Sequence, residues 1–118
     1  MNIEDVRDYC LSFKGVTESM PFDDTTLVFK VMHKMFLLLP LDGIKRSISV
    51  KCNPEKALAL REDYEAVQPA YHFNKKHWNS IDLESDMSDH LIREWIDHSY
   101  AIVVKGLTRE QQKQLSDY

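Results

Sequence analysis

Hydrophobic residues return at the three- and four-residue spacing of an amphipathic helix in two stretches of the chain. The first stretch follows Asn2, a residue type that caps helices, and ends before Gly15, a natural helix terminator. The second, longer stretch follows Ser88 and stops at Gly106. The pattern predicts a first helix and a long helix that supports the core. Their apolar or small positions are Ile3, Val6, Cys10 and Phe13 in the first helix, and Leu91, Ile92, Trp95, Ile96, Ser99, Tyr100, Val103 and Val104 in the second.

Two shorter helices are indicated by capping signals. Asn53-Pro54 combines an Asn cap with a proline at the first helical position, where an amide proton has no helical partner. That helix is expected to run to about Arg61 or Tyr64 and to bury Ala57, Leu58 and either the stem of Arg61 or the ring of Tyr64. A last short helix is predicted after Thr108, which is followed three residues later by a glutamine in the arrangement of a capping box.

In the middle of the chain the hydrophobic period changes to two, the spacing of β-strands. Residues 26–31 and 35–39 are expected to form two antiparallel strands joined at residues 32–34, in a turn that contains no glycine. In a third strand Lys51 points outward, on the same face as the two serines before it. Trp78 is expected either just ahead of a fourth strand or packed on its second face. These two further strands are predicted at residues 47–52 and 78–83.

The order of these elements is helix, strands, helix, strand, helix, helix, which lacks the strict alternation of a parallel sheet. It predicts an α+β fold in which an antiparallel sheet is packed against helices. The chain has 118 residues, of which 43% are hydrophobic and 29% charged. This is the size and composition of one soluble globular domain, which is expected to span residues 1–118.

The sequence contains no pattern typical of secretion or membrane insertion. Its acidic start lacks the basic region of a signal peptide. The longest apolar run, residues 35–39, is far shorter than the roughly 20 residues that cross a bilayer. Cys10 and Cys52 have no CxxC spacing and are expected to be buried thiols in a reducing compartment. We therefore predict a cytoplasmic protein without a membrane partner.

Residues 71–83 concentrate positive charge, rings and hydrogen-bonding side chains, with no acid before Asp82. The chain as a whole has a net charge of −4, but its middle segment, residues 45–77, is net basic between acidic flanks. This chemistry suits an anionic partner better than it suits catalysis. The alternative interpretation is that Phe73 and Trp78 anchor an irregular loop in the core and that the lysines are merely solvated.

The sequence shows no catalytic or cofactor-binding pattern. Its glycines are isolated, which argues against a phosphate-binding loop, and no two histidines have the i, i+4 spacing of a helical zinc site. The two cysteines have no local partner for a nucleophilic pair. We therefore predict a protein that is not an enzyme and that uses neither metal nor cofactor.

A set of short motifs extends over nearly the whole chain: Pro21-Phe22, Phe29-Lys30-Val31, Lys34-Met35-Phe36, Val50-Lys51-Cys52, Pro54-Glu55, Tyr71-His72, Asn74-Lys75, His77-Trp78 and Ser99-Tyr100. In these motifs the chain resembles the MmcQ/YjbR family of small bacterial proteins, which are often labelled DNA-binding. The resemblance implies a fold like that of bacterial frataxin (CyaY) and a double-wing mode of DNA contact. The family tends to carry glycine before Lys34 and after Pro69. This chain has Met32-His33 and Ala70 there, so these turns are expected to differ in shape.

The first functional hypothesis is weak, sequence-tolerant DNA binding through a basic surface. Its cationic side chains would touch phosphates while its histidines and asparagine form hydrogen bonds. The candidate DNA-binding residues are Lys45, Arg46, Lys51, His72, Asn74, Lys75, Lys76 and His77. One alternative is a module that binds another protein or a small anion in the same groove. The other is a frataxin-like metal binder that uses Glu4, Asp5 and Asp8 of the first helix.

Overall fold

The computed structural model describes residues 1–43, 45–70 and 73–118, and in this part of the chain it contains four helices and six strands. The four predicted helices and the four predicted strands are all present, and the predicted α+β fold is confirmed. In chain order the elements are α1 (Ile3–Leu11), β1 (Val16–Ser19), β2 (Thr26–Val31), β3 (Lys34–Pro40), β4 (Ser47–Lys51), α2 (Pro54–Asp63), β5 (Val67–Pro69), β6 (Trp78–Asp82), α3 (Asp89–Lys105) and α4 (Arg109–Ser116).

All six strands belong to one antiparallel sheet with the order β1-β2-β3-β4-β6-β5. The two strands that the sequence pattern did not predict, β1 and β5, are its edges. They have four and three residues, which is too short for a clear hydrophobic alternation. None of the helices in residues 1–43, 45–70 and 73–118 has the length and apolar character needed to cross a lipid bilayer.

The two faces of the sheet are covered differently. The inner face packs against the helices, with α3 lying across β3 and β4, and carries the main core. The outer face has a small second cluster built only from strand and loop residues. Trp78 belongs to this cluster, so the expectation that it packs on the second face is confirmed. The cluster consists of Val28, Leu38, Ala70 and Trp78, with Met35 and Phe73 packed against it.

A β-bulge between β2 and β3 places two consecutive residues of β3 in the main core. Phe29 pairs with Leu37 and Lys30 pairs with Met35, so Phe36 has no residue opposite it. Phe36 and Leu37 are both fully buried in the main core, whereas Met35 packs against the outer cluster. The bulge also leaves the backbone of Phe36 outside the regular ladder between the two strands.

The helix starts agree with the capping signals, whereas the prediction of which α2 residues are buried is correct for Ala57 and wrong for Leu58. Leu58, expected on the inner face, is 59% exposed. Ala57 is buried as expected, Leu60 is buried in place of Leu58, and the half-buried Arg61 lies on the same side. Because residues three and four apart share a helix face, Ala57 selects this row and turns Leu58 away from it. The predicted caps Asn2, Asn53, Ser88 and Thr108 each accept a hydrogen bond from a backbone N–H of the first helical turn.

The turn between β2 and β3 has a backbone conformation that normally selects glycine. Its two central residues, Met32 and His33, have φ angles of 48° and 70°. Positive φ at both central positions is the geometry of a two-residue hairpin turn, because its twist matches that of the strands. The predicted hairpin is confirmed, and it forms without the usual glycine at the cost of backbone strain.

We expect His33→Gly to raise the free energy of unfolding by about 1 kcal/mol, because glycine adopts positive φ without steric cost. His33 is exposed, so little packing is lost with the side chain. The measurement is urea denaturation of the variant and the parent protein. His33→Ala is the control: it keeps the unfavourable φ and should bring no gain, so equal stabilisation by alanine would contradict the argument.

Candidate functional site

Three connections that carry positive charge meet at one end of the sheet. The turn before Lys34 lies beside the end of β4, because β3 and β4 are antiparallel and Leu37 pairs with Val50. The loop before Trp78 lies on the other side of β4, because Lys51 pairs with Trp78. The sequence contains no acid in residues 32–34, 51–54 or 73–77. We call this group the basic end, and its cationic members are Lys34, Lys51, Lys75 and Lys76, with His77 beside them.

The opposite end of the sheet is acidic. It is formed by the loop between β1 and β2, the loop after β3 and the loop after β6. Backbone N–H groups hydrogen-bond two of its carboxylates: Thr25 donates to Asp23, and Ala66 and Glu65 donate to Asp86. These hydrogen bonds lower the pKa of both carboxyl groups, which holds them ionised. The acidic side chains of this end are Asp23, Asp24, Asp42, Asp82, Glu84 and Asp86.

Two candidate residues lie at the acidic end and not with the others. Lys45 and Arg46 are exposed and directly precede β4, whereas Lys51 is its last residue. A strand advances about 3.3 Å per residue, so Arg46 and Lys51 are separated by about 16 Å along the strand. Arg46 Nε is 3.3 Å from a carboxylate oxygen of Glu84. The expectation that all candidate cations share one surface is therefore wrong for this pair.

The loop from Phe73 to His77 is shaped by its own backbone and side-chain contacts. The carbonyl of Asn74 accepts hydrogen bonds from the N–H groups of His77 and Trp78, both at 3.0 Å. Its side-chain oxygen accepts from the N–H of Lys76 at 3.0 Å. Asn74 thus fixes the loop, while Lys75 and Lys76 are exposed at its tip. His72 is also a candidate, but it lies outside the described residues.

Arg61 of α2 ties this loop to the rest of the protein. Its guanidinium donates to the side-chain oxygen of Asn79 at 2.7 Å and to the carbonyl groups of Lys75 and Trp78. Asn79 is 1% exposed and donates in turn to the carbonyl of Ala57 at 3.3 Å. The sequence indicated only that either the stem of Arg61 or the ring of Tyr64 would be buried, whereas the guanidinium of Arg61 connects α2, β6 and the loop.

The backbone of Lys51 is hydrogen-bonded to a buried serine of α3. The hydroxyl of Ser99 accepts a hydrogen bond from the N–H of Lys51 at 2.9 Å and donates to the carbonyl of Phe36. Ser99 is fully buried. It satisfies two backbone groups that lie just past the end of the β3–β4 pairing, which stops at Leu37 and Val50. Ser99 therefore fixes the position of Lys51 relative to β3.

A depression of about 350 Å³ opens at the basic end between the sheet and the end of α3. Lys34 and Lys51 line it together with the nearly buried Trp78, and Gly106 lies at its helix side. Two ammonium groups beside an aromatic ring form a site suited to an anionic group attached to a flat or apolar body.

Two other groups of candidate residues are the cysteines and the acidic residues of α1. Burial raises the pKa of Cys10 to about 12 and that of Cys52 to about 11, so neither thiol is a ready nucleophile. Within residues 1–43, 45–70 and 73–118, no three His, Cys, Asp or Glu side chains are grouped closely enough to hold a metal. Asp5, proposed as a metal ligand, accepts a hydrogen bond from the N–H of Asn2 in the capping box of α1.

Comparison with known proteins identifies the family. The YjbR family model matches residues 11–102, which is most of the chain. The chain belongs to the YjbR family. It is 34% identical over 113 residues to the protein YbdF of Escherichia coli O157:H7, covering 95% of this chain and 92% of YbdF. It is 30% identical over 115 residues to the protein YjbR of Escherichia coli K12, covering 98% of both chains.

Solved structures show the same fold. The crystal structure of Deinococcus radiodurans protein DR2400, a DUF419 domain, matches this YjbR-family chain with a TM-score of 0.91 at 34% identity. The match covers 98% of this chain and 88% of DR2400. A crystal structure from Pseudomonas syringae matches with a TM-score of 0.74 at 27% identity, covering 86% of this chain and 98% of that one. These names state no ligand or reaction, so the function of this YjbR-family protein must be argued from its surface.

Sequence reasoning missed Lys34 as a member of the site. The residue was assigned only to a hairpin turn. Because β3 and β4 are antiparallel, the turn before β3 lies at the same end of the sheet as Lys51, the last residue of β4. The useful signal was the combination of strand parity and chain direction in an antiparallel sheet. This signal also gives the outward direction of Lys51, which lies on the same face as Ser47 and Ser49, as predicted.

Proposed function

We propose that this protein binds DNA weakly and with little sequence preference through its basic end. One observation carries the proposal: the strands sort the charges, so that the turns at one end of the sheet carry only cations and those at the other end carry most of the nearby acids. A protein of net charge −4 thereby presents one positive surface. The acidic end turns away and repels the same polymer, which orients the protein on it.

The shape of the basic end supports contact with phosphates on two sides. The turn at residues 32–34 and the loop at residues 73–77 project on either side of Lys51 at the end of β4. Two projections around a central cation fit the double-wing contact that the family resemblance implies. The same resemblance suggests a frataxin-like architecture, and DNA as a ligand agrees with the cytoplasmic location that the sequence patterns predict.

The strength of this binding follows from the number of phosphates contacted. Contacts from Lys34, Lys51 and Lys76 give a slope of about −3 for log affinity against log salt. So few contacts hold a polymer only at low ionic strength. We therefore expect binding that is detectable at low salt and lost near physiological salt, with similar affinity for unrelated sequences.

A DNA titration at low and moderate salt tests the proposal, with both a short duplex and one of its single strands. We expect Lys34→Ala combined with Lys76→Ala to weaken binding at least about tenfold at low salt and to reduce the salt slope by about 2. Fluorescence anisotropy of labelled DNA measures both quantities.

The control is Lys45→Ala combined with Arg46→Ala, which removes the same charge from the acidic end. This pair should leave the salt slope unchanged, since neither residue belongs to the basic end. Equal loss in the two double variants would show that only net charge matters. No binding of either DNA at low salt would remove the proposal.

A second candidate function is binding of a small anion at the same place. The depression beside Lys34, Lys51 and Trp78 favours it, because its volume of about 350 Å³ is large enough for a small ligand. Titration with inorganic phosphate, followed by the amide resonances of these residues, tests it. Saturable shifts at low phosphate concentration without DNA binding would support a small-anion or protein-bound anionic group as the ligand.

A further inference from the structure

The outer face of the sheet contains a second depression, of about 340 Å³, that extends from Pro40 and Ser47, near the acidic end, to Phe73 of the loop at the basic end. We call it the serine depression, because Ser49 of β4 and Ser80 of β6 lie opposite each other in its floor. Ser47 and Gln68 add a third hydroxyl and an amide, and Phe73 forms one wall. Among the described residues, none that lines it carries a charge.

The polar groups of the serine depression are not used by the fold. Within residues 1–43, 45–70 and 73–118, the side chains of Ser47, Ser49, Ser80 and Gln68 form no hydrogen bond with the protein. The three serines are nevertheless half-buried. Hydroxyl and amide groups both donate and accept hydrogen bonds, so they match the edge of a neutral heterocycle, which carries donors and acceptors side by side. Because these groups are uncharged, they do not select an ion.

The aromatic wall of the serine depression, Phe73, packs against a second aromatic ring. The Phe73 ring packs on Trp78 with a centroid distance of 5.3 Å and an interplanar angle of 34°. Trp78 is itself held in the outer cluster with Val28 and Leu38. A ring fixed in this way is a platform on which a nucleobase can stack, an interaction that adds affinity with little dependence on sequence.

The basic end lies within reach of this depression. Ser49 and Lys51 point to the same side of β4 and are two residues apart, which is about 7 Å along the strand. This separation is comparable to the reach from a phosphate to the far edge of its own base. Cations for the backbone and a neutral pocket for the base are therefore arranged as one nucleotide requires.

We propose that the serine depression receives an unpaired nucleobase, so that the preferred ligand of the basic end is single-stranded nucleic acid. This inference rests on the proposed function, since Lys51 and its neighbours supply the phosphate contacts. A base within a duplex is stacked and paired and cannot enter the depression, whereas an unpaired base is free to stack on Phe73 and hydrogen-bond to Ser49 and Ser80.

The test compares a short single strand, the corresponding duplex and an abasic single strand of the same length at one low salt concentration. We expect the single strand to bind at least about fivefold more tightly than the abasic strand or the duplex, because one stacked base contributes about that factor or more. An abasic strand that binds as tightly as the ordinary strand would overturn the proposal.

Ser49→Val combined with Ser80→Val removes the hydroxyls and keeps residues that favour strands. This variant should reduce the preference for the single strand, since only stacking on Phe73 remains to hold the base, while its salt slope stays that of the parent. The matched control is Thr17→Val, which removes an exposed hydroxyl from strand β1. This variant should keep the preference for the single strand. A double valine variant that also keeps the preference would overturn the role of the serines.

The outcomes separate this inference from the proposed function. If single strand, abasic strand and duplex bind equally and all respond to Lys34→Ala with Lys76→Ala, the basic end binds DNA and the base pocket is refuted. If none binds, the proposed function fails and this inference with it. Shifts of the Ser49 and Ser80 amides with thymidine monophosphate, without any advantage of the strand over the duplex, would assign the depression to a free nucleotide and overturn the strand proposal.

Discussion

Ser99→Ala is expected to lower the free energy of unfolding by about 2 to 3 kcal/mol. The hydroxyl of Ser99 accepts from the N–H of Lys51 and donates to the carbonyl of Phe36, and the side chain is fully buried. Alanine leaves both backbone groups without a partner, and each unsatisfied buried group costs about 1 to 3 kcal/mol. The pairing of β3 with β4 ends at Leu37 and Val50, so no strand neighbour replaces the serine at Phe36 and Lys51. Urea denaturation followed by tryptophan fluorescence measures the change.

Ser49→Ala is the matched control for this prediction. Ser49 is a half-buried serine of β4 on the outer face of the sheet, and its hydroxyl forms no hydrogen bond among the described residues. Its replacement should change the free energy of unfolding by less than about 0.5 kcal/mol. If both alanine variants unfold at the same urea concentration, the hydrogen bonds of Ser99 do not stabilise the junction between α3 and the sheet.

Arg61→Ala is expected to lower the free energy of unfolding by about 2 kcal/mol and to loosen the loop at the basic end. A hydrogen bond from a charged donor contributes about 1.5 to 3 kcal/mol, and Arg61 makes one with Asn79 at 2.7 Å. Its loss leaves the side-chain oxygen of a residue that is 1% exposed without its donor. The carbonyl of Lys75 loses its guanidinium partner at the same time.

Hydrogen exchange distinguishes the local from the global effect of Arg61→Ala. The amides of His77 and Trp78, which donate to Asn74 in the parent, should exchange faster by a larger factor than amides in α3. Arg93→Ala is the control, since Arg93 is exposed on α3, and it should leave both stability and exchange unchanged within error. A uniform acceleration over the whole chain would contradict a specific role of Arg61 in holding the loop.

The candidate site was predictable only in part, and the charged residues show why. The alternation of residues 47–52 predicts the strand that contains Lys51, and the sequence shows the positive charge of the segment that contains Lys76. Both lysines lie at the basic end. Lys45 and Arg46 are close to Lys51 in the sequence, but β4 carries them about 16 Å away, beside Glu84. Residues that are close in the sequence thus lie far apart in space when an extended strand runs between them.

Local signals determined where the helices begin and which segments form the central strands. A cap such as Asn2 or Thr108 acts through hydrogen bonds to residues two or three positions away, so the sequence contains the whole interaction. The alternation in residues 26–31 is equally local, because successive side chains of a strand point to opposite faces. These features gave the α+β class before any contact between distant residues was known.

The tertiary structure alone decided the edge strands, the bulge at Phe36 and the division of the molecule into a basic and an acidic end. Each depends on which strands are neighbours and in what register, and the interactions that set register join residues far apart in the sequence. Arg61 shows the same limit: its position in α2 was visible, but its partner Asn79 lies 18 residues away and is reached only after β6 is in place. Pairing between distant segments, which no local pattern encodes, therefore assembled the surface proposed to bind nucleic acid.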